Sequence, residues 1–174
     1  MTPEPPEPAA PPAPPALHPD VVPFAALLGT WAGEGEGHYP TIEPFAYREE
    51  ISFASPAGKP FLAYRQGTVR LDTGLPAHAE AGYLRGVGGG RAELVMAHPT
   101  GLAELSEGSA TATADGLVLH LVSTTVAATA TAKSVRSVER TFTLAGDVLR
   151  YDLAMGAVGQ DHQHHLSATL HRQG

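Results

Sequence analysis

From Thr30 to the C-terminus the chain is a run of short β-rich segments separated by turns, and this spacing constrains the fold more than any other feature. Apolar and polar side chains alternate over residues 45–54, 61–71 and 79–87, and β-rich stretches follow at 91–97, 102–111, 117–127, 135–144, 148–157 and 164–172. Between them stand turn formers: Ser55-Pro-Ala-Gly-Lys-Pro, Asp72-Thr-Gly-Leu-Pro, Gly88-Gly-Gly, His98-Pro-Thr-Gly, Asp115-Gly and Ala145-Gly-Asp. Period-two alternation marks half-buried strands, and short connections make antiparallel neighbours. Roughly ten strands in such a meander form an up-and-down barrel or a sandwich. A barrel of that size is too wide for side chains alone to fill, so it tends to hold a ligand.

Two segments precede the strands. Residues 1–19 are rich in proline and alanine, with eight prolines among the first sixteen residues, and read as an extended, mobile tail. Residues 18–28 then predict one short helix, with Asp20 as its cap, Pro23 in its first turn, Val21, Phe24, Ala25 and Leu28 on one face, and Gly29 as its stop. The domain boundary is therefore set at 19/20, with residues 20–174 as one barrel.

The first strand is unusual. In Gly29-Thr-Trp-Ala-Gly-Glu-Gly-Glu-Gly-His-Tyr, alternation puts Trp31, Gly33, Gly35, Gly37 and Tyr39 on one face. Glycine weakens a strand unless the backbone must bend or be closely approached. That face reads as a barrel corner, a tightly packed seat for a helix, or a ligand wall.

Composition removes several functions. The 174 residues contain no cysteine, which excludes disulfides, thiolate metal sites and cysteine nucleophiles and fits a cytoplasmic protein. The net charge is −7 with 11 Lys and Arg spread thinly, so a nucleic-acid surface is not expected. No apolar run is long enough for a membrane span, and no secretion signal is recognisable. Nucleophile-elbow and phosphate-loop motifs are missing, and Gly33-Glu-Gly-Glu-Gly lacks the βαβ context of a dinucleotide site. Glu49 and Glu50 point to opposite faces and read as surface or rim charges rather than an acid–base couple.

Histidine carries the remaining chemical potential. Of nine histidines, four lie in the last thirteen residues. Asp161-His-Gln-His-His is too closely spaced for a structural zinc site. One well-placed imidazole facing an apolar slot is, however, enough to hold a haem iron. Solvated rim histidines are the plainer reading of the same residues.

Gly29-Thr-Trp-Ala-Gly-Glu-Gly matches the Gly-x-Trp-x-Gly-x-Gly signature of the nitrobindin family. The continuation Glu36-Gly-His-Tyr-Pro-Thr-Ile, the segment Glu80-Ala-Gly-Tyr-Leu-Arg, and the ending Met155-Gly-Ala-Val-Gly with His164-His-Leu-Ser-Ala-Thr-Leu-His-Arg also resemble that family. The likeness runs from about residue 20 to the C-terminus. It implies an all-β, ten-stranded antiparallel barrel of the calycin or fatty-acid-binding kind, with one short N-terminal helix. It further implies one haem b per chain, mostly ferric, that binds nitric oxide and isomerises peroxynitrite to nitrate. By the same resemblance His165 is the axial iron ligand and Thr41 touches the haem, with Gly29, Trp31, Gly33 and Gly35 forming a close-packed wall near the cofactor. No protein catalytic group beyond the iron is implied, the partners are small molecules, and a homodimer is compatible with the reading.

Simple alternation conflicts with one of these assignments. Counting from the start of the last strand, His165 shares a face with Ser167 and Thr169, whereas His164 shares the apolar face of Leu166, Ala168 and Leu170. Either the strand begins after His165, with the ligand on its entry bend, or its apolar face packs outside the cavity; His164 is the second candidate ligand. His38 is expected to be a structural rim residue. Two other functional classes fit the same barrel. One is a haem carrier or nitric oxide sensor without turnover. The other is a haem-free lipid binder, which would need cavity arginines, with Arg48, Arg65 and Arg85 as the candidates.

Overall fold

A computed structural model describes residues 16–174. A 3-10 helix, Pro19–Leu27, leads into ten antiparallel strands: β1 Gly29–Tyr39, β2 Ile42–Ala54, β3 Phe61–Arg70, β4 Pro76–Gly86, β5 Arg91–His98, β6 Leu102–Ala112, β7 Gly116–Ala128, β8 Val135–Ala145, β9 Val148–Ala157 and β10 Gln163–Arg172. Each strand pairs with its sequence neighbours, and β10 pairs with β1 to close the barrel. The sandwich alternative is thereby removed. Of the expected tail, residues 1–15 lie outside the described residues, and Pro19 already belongs to the helix.

The helix differs from the α-helix the spacing suggested. Its buried residues are Val21, Phe24 and Leu27, a period of three rather than the expected set with Ala25 and Leu28. Pro23 has no N–H to donate in either kind of turn, so it withholds one hydrogen bond from the helix interior. The cap is His18, whose Nδ1 accepts from the Asp20 N–H at 3.2 Å, not Asp20.

This helix plugs one end of the barrel. Trp31 is fully buried, and its indole N–H donates to the Leu27 carbonyl at 2.8 Å. Arg172 covers the indole ring at 4.1 Å and donates to the carbonyls of Leu28 and Ala26. Phe53, Tyr64, Phe142 and Tyr151 stack through the middle, with Phe142 and Tyr151 ring centres 4.9 Å apart. The half of the barrel next to the helix is thus filled by aromatic and aliphatic side chains. Filling that half leaves the space predicted from strand number at the opposite mouth.

The glycine face of β1 is packed. A Cβ on Gly33 would lie 2.1 Å from the Thr169 carbonyl oxygen, and one on Gly35 would lie 2.6 Å from the Tyr47 ring. On Gly37 it would meet Phe45 and Leu166 at 2.6 Å. The glycines let β10 and the rings of β2 close against β1, which selects close packing over a ligand wall.

Candidate functional site

The mouth opposite the helix opens into a cavity of about 540 Å³, within the range of roughly 300–1,000 Å³ typical of small-molecule sites. Phe45, Val126, Val138, Leu153, Met155 and Leu166 make its apolar walls. Among the nine histidines only His78, His98 and His165 line it.

His165 enters by breaking the alternation. On β10, His164 pairs with Ala154 of β9 and Leu166 with Leu153, so His165 is an extra residue with no partner. Such a bulge re-aims a side chain at the cost of one ladder position. His165 and Leu166 therefore both face the cavity, while His164 stays exposed, 3.6 Å from Asp152. Neither resolution offered by the alternation argument was needed: the strand starts at Gln163, and its apolar face still lines the interior.

A second register shift, between Gly37 and Tyr39 on β1, places the His38 carbonyl 2.9 Å from His165 Nδ1. A carbonyl can only accept, so Nδ1 carries the hydrogen and Nε2 keeps its lone pair. Tyr39 packs edge-on against the imidazole at 5.2 Å. Its hydroxyl accepts from the Ala157 N–H at 2.9 Å and donates toward Met155 O, tying β1 to β9 across β10. Burial pushes the His165 pKa below the ordinary imidazole value, and the His38 carbonyl only partly offsets this. The ring is thus held neutral and oriented, as an axial metal ligand must be.

Of the other residues implied by resemblance, none lines the cavity. Gly29 and Trp31 sit at the helix end, where Trp31 anchors the plug. Gly33 and Gly35 lie against β10 and Tyr47. Thr41 is exposed on the β1–β2 turn. His38 serves through its backbone, and its exposed ring lies 5.7 Å from that of His164.

The sequence reading missed a polar layer on the cavity floor. Arg140 is fully buried and forks between two carboxylates: Nη1 and Nη2 donate to Glu80 at 2.8 and 3.0 Å, and Nε and Nη2 donate to Glu104 at 3.1 and 2.8 Å. Tyr64 donates to Glu80 and Ser106 to Glu104. Burial alone would raise the Glu80 pKa, yet Arg140 and the nearby histidines bring it down to about 2. Glu49 is not a surface charge either. It is 1 % exposed, accepts from Gln66 Nε2 at 2.6 Å, and burial pushes its pKa up to about 7. Glu49 Oε2 and Gln66 Oε1 have no protein partner. Arg48, Arg65 and Arg85 are all exposed, and the buried Arg140 is already saturated by carboxylates. No free cavity arginine is therefore offered to a fatty-acid carboxylate among the described residues. No helix there is long and apolar enough to cross a membrane.

Comparison with known proteins agrees with this geometry. The chain is 51% identical over 157 residues to peroxynitrite isomerase 2 of Mycobacterium marinum, covering 90% of this chain and 97% of that one. It is 51% identical to the peroxynitrite isomerase of Nocardia farcinica, covering 90% and 93%. The crystal structure of Rv2717c from M. tuberculosis superposes with a TM-score of 0.87 at 46% identity, over 91% of this chain and all of the other. Residues 20–172 match the family described as the THAP4-like, heme-binding beta-barrel domain, and with the barrel and its mouth-facing histidine in place the chain belongs to that family.

Proposed function

We propose that the chain holds one haem b through His165 Nε2, in the ferric state, and that the loaded protein isomerises peroxynitrite to nitrate and binds nitric oxide. The observation that carries the proposal is the bulge at His165: it turns a neutral imidazole, fixed at Nδ1, into a cavity with apolar walls. An apolar slot with one oriented imidazole is what haem ligation requires, and relatives at 51% identity bear the name peroxynitrite isomerase.

The chemistry that haem supplies when bound is an iron centre at which the peroxide O–O bond can be broken and the oxygen returned to nitrogen. Peroxynitrite and nitrate have the same atoms and charge, so no second substrate is needed. The chain supplies the rest. His165 ligates, and His38 O holds its tautomer. Phe45, Val126, Leu153 and Leu166 exclude water from one side of the cavity. The floor carboxylates Glu80 and Glu104 are tied to Arg140, so they are not free to act as general bases. Thr41, on the rim turn, belongs to the proposal as a contact at the haem edge.

The test is haemin reconstitution of wild type, His165→Ala and His164→Ala, followed by stopped-flow decay of peroxynitrite at substoichiometric protein. Wild type and His164→Ala should share one Soret band and outpace free haemin, and His165→Ala should lose both properties. An unchanged Soret band in His165→Ala would remove the ligand assignment. A normal Soret band in wild type with no acceleration over free haemin would leave a carrier or sensor in place of an enzyme.

A further inference from the structure

The cavity wall carries a second group of candidate ligands. His78 Nε2, His98 Nδ1 and Glu80 Oε2 form a nearly equilateral triangle. Its edges are 3.3 Å (His78–His98), 3.5 Å (His78–Glu80) and 3.3 Å (His98–Glu80). For bonds near 2.1 Å, the edge of a tetrahedral zinc site is about 3.4 Å. Each imidazole nitrogen either donates or accepts, so protons can satisfy at most two of the three contacts, whereas an ion at the centre satisfies all three.

Three further observations favour the cation. His98 Nε2 lies 3.6 Å from Glu104 Oε2, close to the carboxylate–histidine arrangement that orients a metal-binding imidazole. On the floor Glu80 and Glu104 set two carboxylates against the single guanidinium of Arg140, so the balancing charge falls to the imidazoles of His78 and His98 or to an ion they hold. A buried net charge of that kind is costly unless compensated. Finally, the triangle is held rigidly. A register shift between Gly67 and Val69 lets Thr68 Oγ1 clamp the His78 backbone, accepting from its N–H at 2.9 Å. Arg140 and Tyr64 fix Glu80.

We propose that His78, His98 and Glu80 bind a first-row divalent metal ion, with zinc as the representative, in the wall of the same cavity that His165 enters. All three residues line the cavity, so the fourth position of the ion faces the interior. Two histidines and a carboxylate with an open position is the composition of catalytic rather than structural zinc sites. The ion would present a Lewis acid to an anion held in the cavity, and the site does not depend on haem being present.

The test is zinc binding by chelator competition and calorimetry, on protein stripped with chelator, in haemin-free and haemin-loaded forms. The expected result is one ion per chain in the haemin-free form, with the haemin-loaded form showing whether both groups fit together. His78→Ala and His98→Ala should each weaken binding by at least about 100-fold. His162→Ala should leave it unchanged, and this control is needed because His120, Glu139 and His162 form a surface cluster. X-ray absorption of the one-to-one complex should show two imidazole ligands. Failure of the haemin-free protein to bind zinc, loss of binding in His162→Ala, or full affinity in His78→Ala would overturn the proposal. Should His98→Ala fail to fold by circular dichroism, the partly exposed His78 decides the matter alone.

Discussion

Replacing Glu49 with glutamine should change the pH dependence of stability more than stability itself. Glu49 is ordinary in sequence but buried in the barrel, and its pKa rises from the usual 4.5 to about 7 because burial disfavours its charge. A carboxylate whose folded-state pKa is raised contributes stability that is fully present below its unfolded pKa. That contribution is lost as pH rises through the folded value, since the folded state then binds more protons than the unfolded chain. The window here runs from about pH 4.5 to about pH 7. At about 1.4 kcal/mol per unit, wild type should lose roughly 3 kcal/mol across it from this group. Glutamine keeps the acceptor for Gln66 Nε2 and cannot ionise, so the variant should lack this slope. For a domain of this size the difference corresponds to a melting temperature roughly 6–12 °C higher, relative to wild type, at pH 8 than at pH 4.5. Urea melts of both haemin-free proteins at pH 4.5, 6, 7 and 8 provide the measurement. Parallel stability curves would show that Glu49 is solvated or paired at neutral pH, and the account of the cavity floor would be wrong there.

Two further perturbations probe the frame around the site. Arg140→Met leaves Glu80 and Glu104 buried without their cation and should cost roughly 3–5 kcal/mol in urea unfolding at pH 7; adding Glu80→Gln and Glu104→Gln should return most of it, and an additive loss in the triple variant would contradict the pairing. Gly33→Ala sets a Cβ 2.1 Å from a backbone oxygen that cannot swing away, and should destabilise by about 1–3 kcal/mol. Gly67, on β3 with open space around it, is the control: Gly67→Ala should move stability by less than about 1 kcal/mol, and equal effects at the two sites would refute the packing role of the β1 glycines.

The strands were readable because each obeys a period of two and ends at a turn former. The helix was readable as an element but not in its pitch, since apolar residues three and four apart serve either kind of turn. What the chain hides is the interior chemistry, for two physical reasons. First, the buried polar layer is assembled from Glu80 on β4, Glu104 on β6 and Arg140 on β8, with Glu49 on β2 behind Gln66. Each is a single charge in an alternating strand, which reads as a solvent position. Only barrel closure brings Arg140 to carboxylates 36 and 60 residues away. Second, the mouth is built where alternation fails. Register shifts interrupt the pairings of β1 with β2, β9 with β10, and β3 with β4, beside His38, His165 and Thr68. A one-residue slip moves every later side chain to the other face, so counting faces from the strand start selects His164, the exposed neighbour. Family likeness pointed to His165, and the bulge accounts for that imidazole reaching the cavity. The same reasoning extends to the second cluster: Thr68 occupies its own shift and clamps His78, so both imidazole arrangements at the mouth depend on backbone irregularities. A variant that restores regular pairing by deleting His164 or His165 should therefore keep the barrel, since β10 retains its pairs from Leu166 to Arg172 with β1. It should nevertheless lose the orientation of the imidazole against the His38 carbonyl, and a haemin-loaded deletion variant with a wild-type Soret band would show that the bulge is incidental.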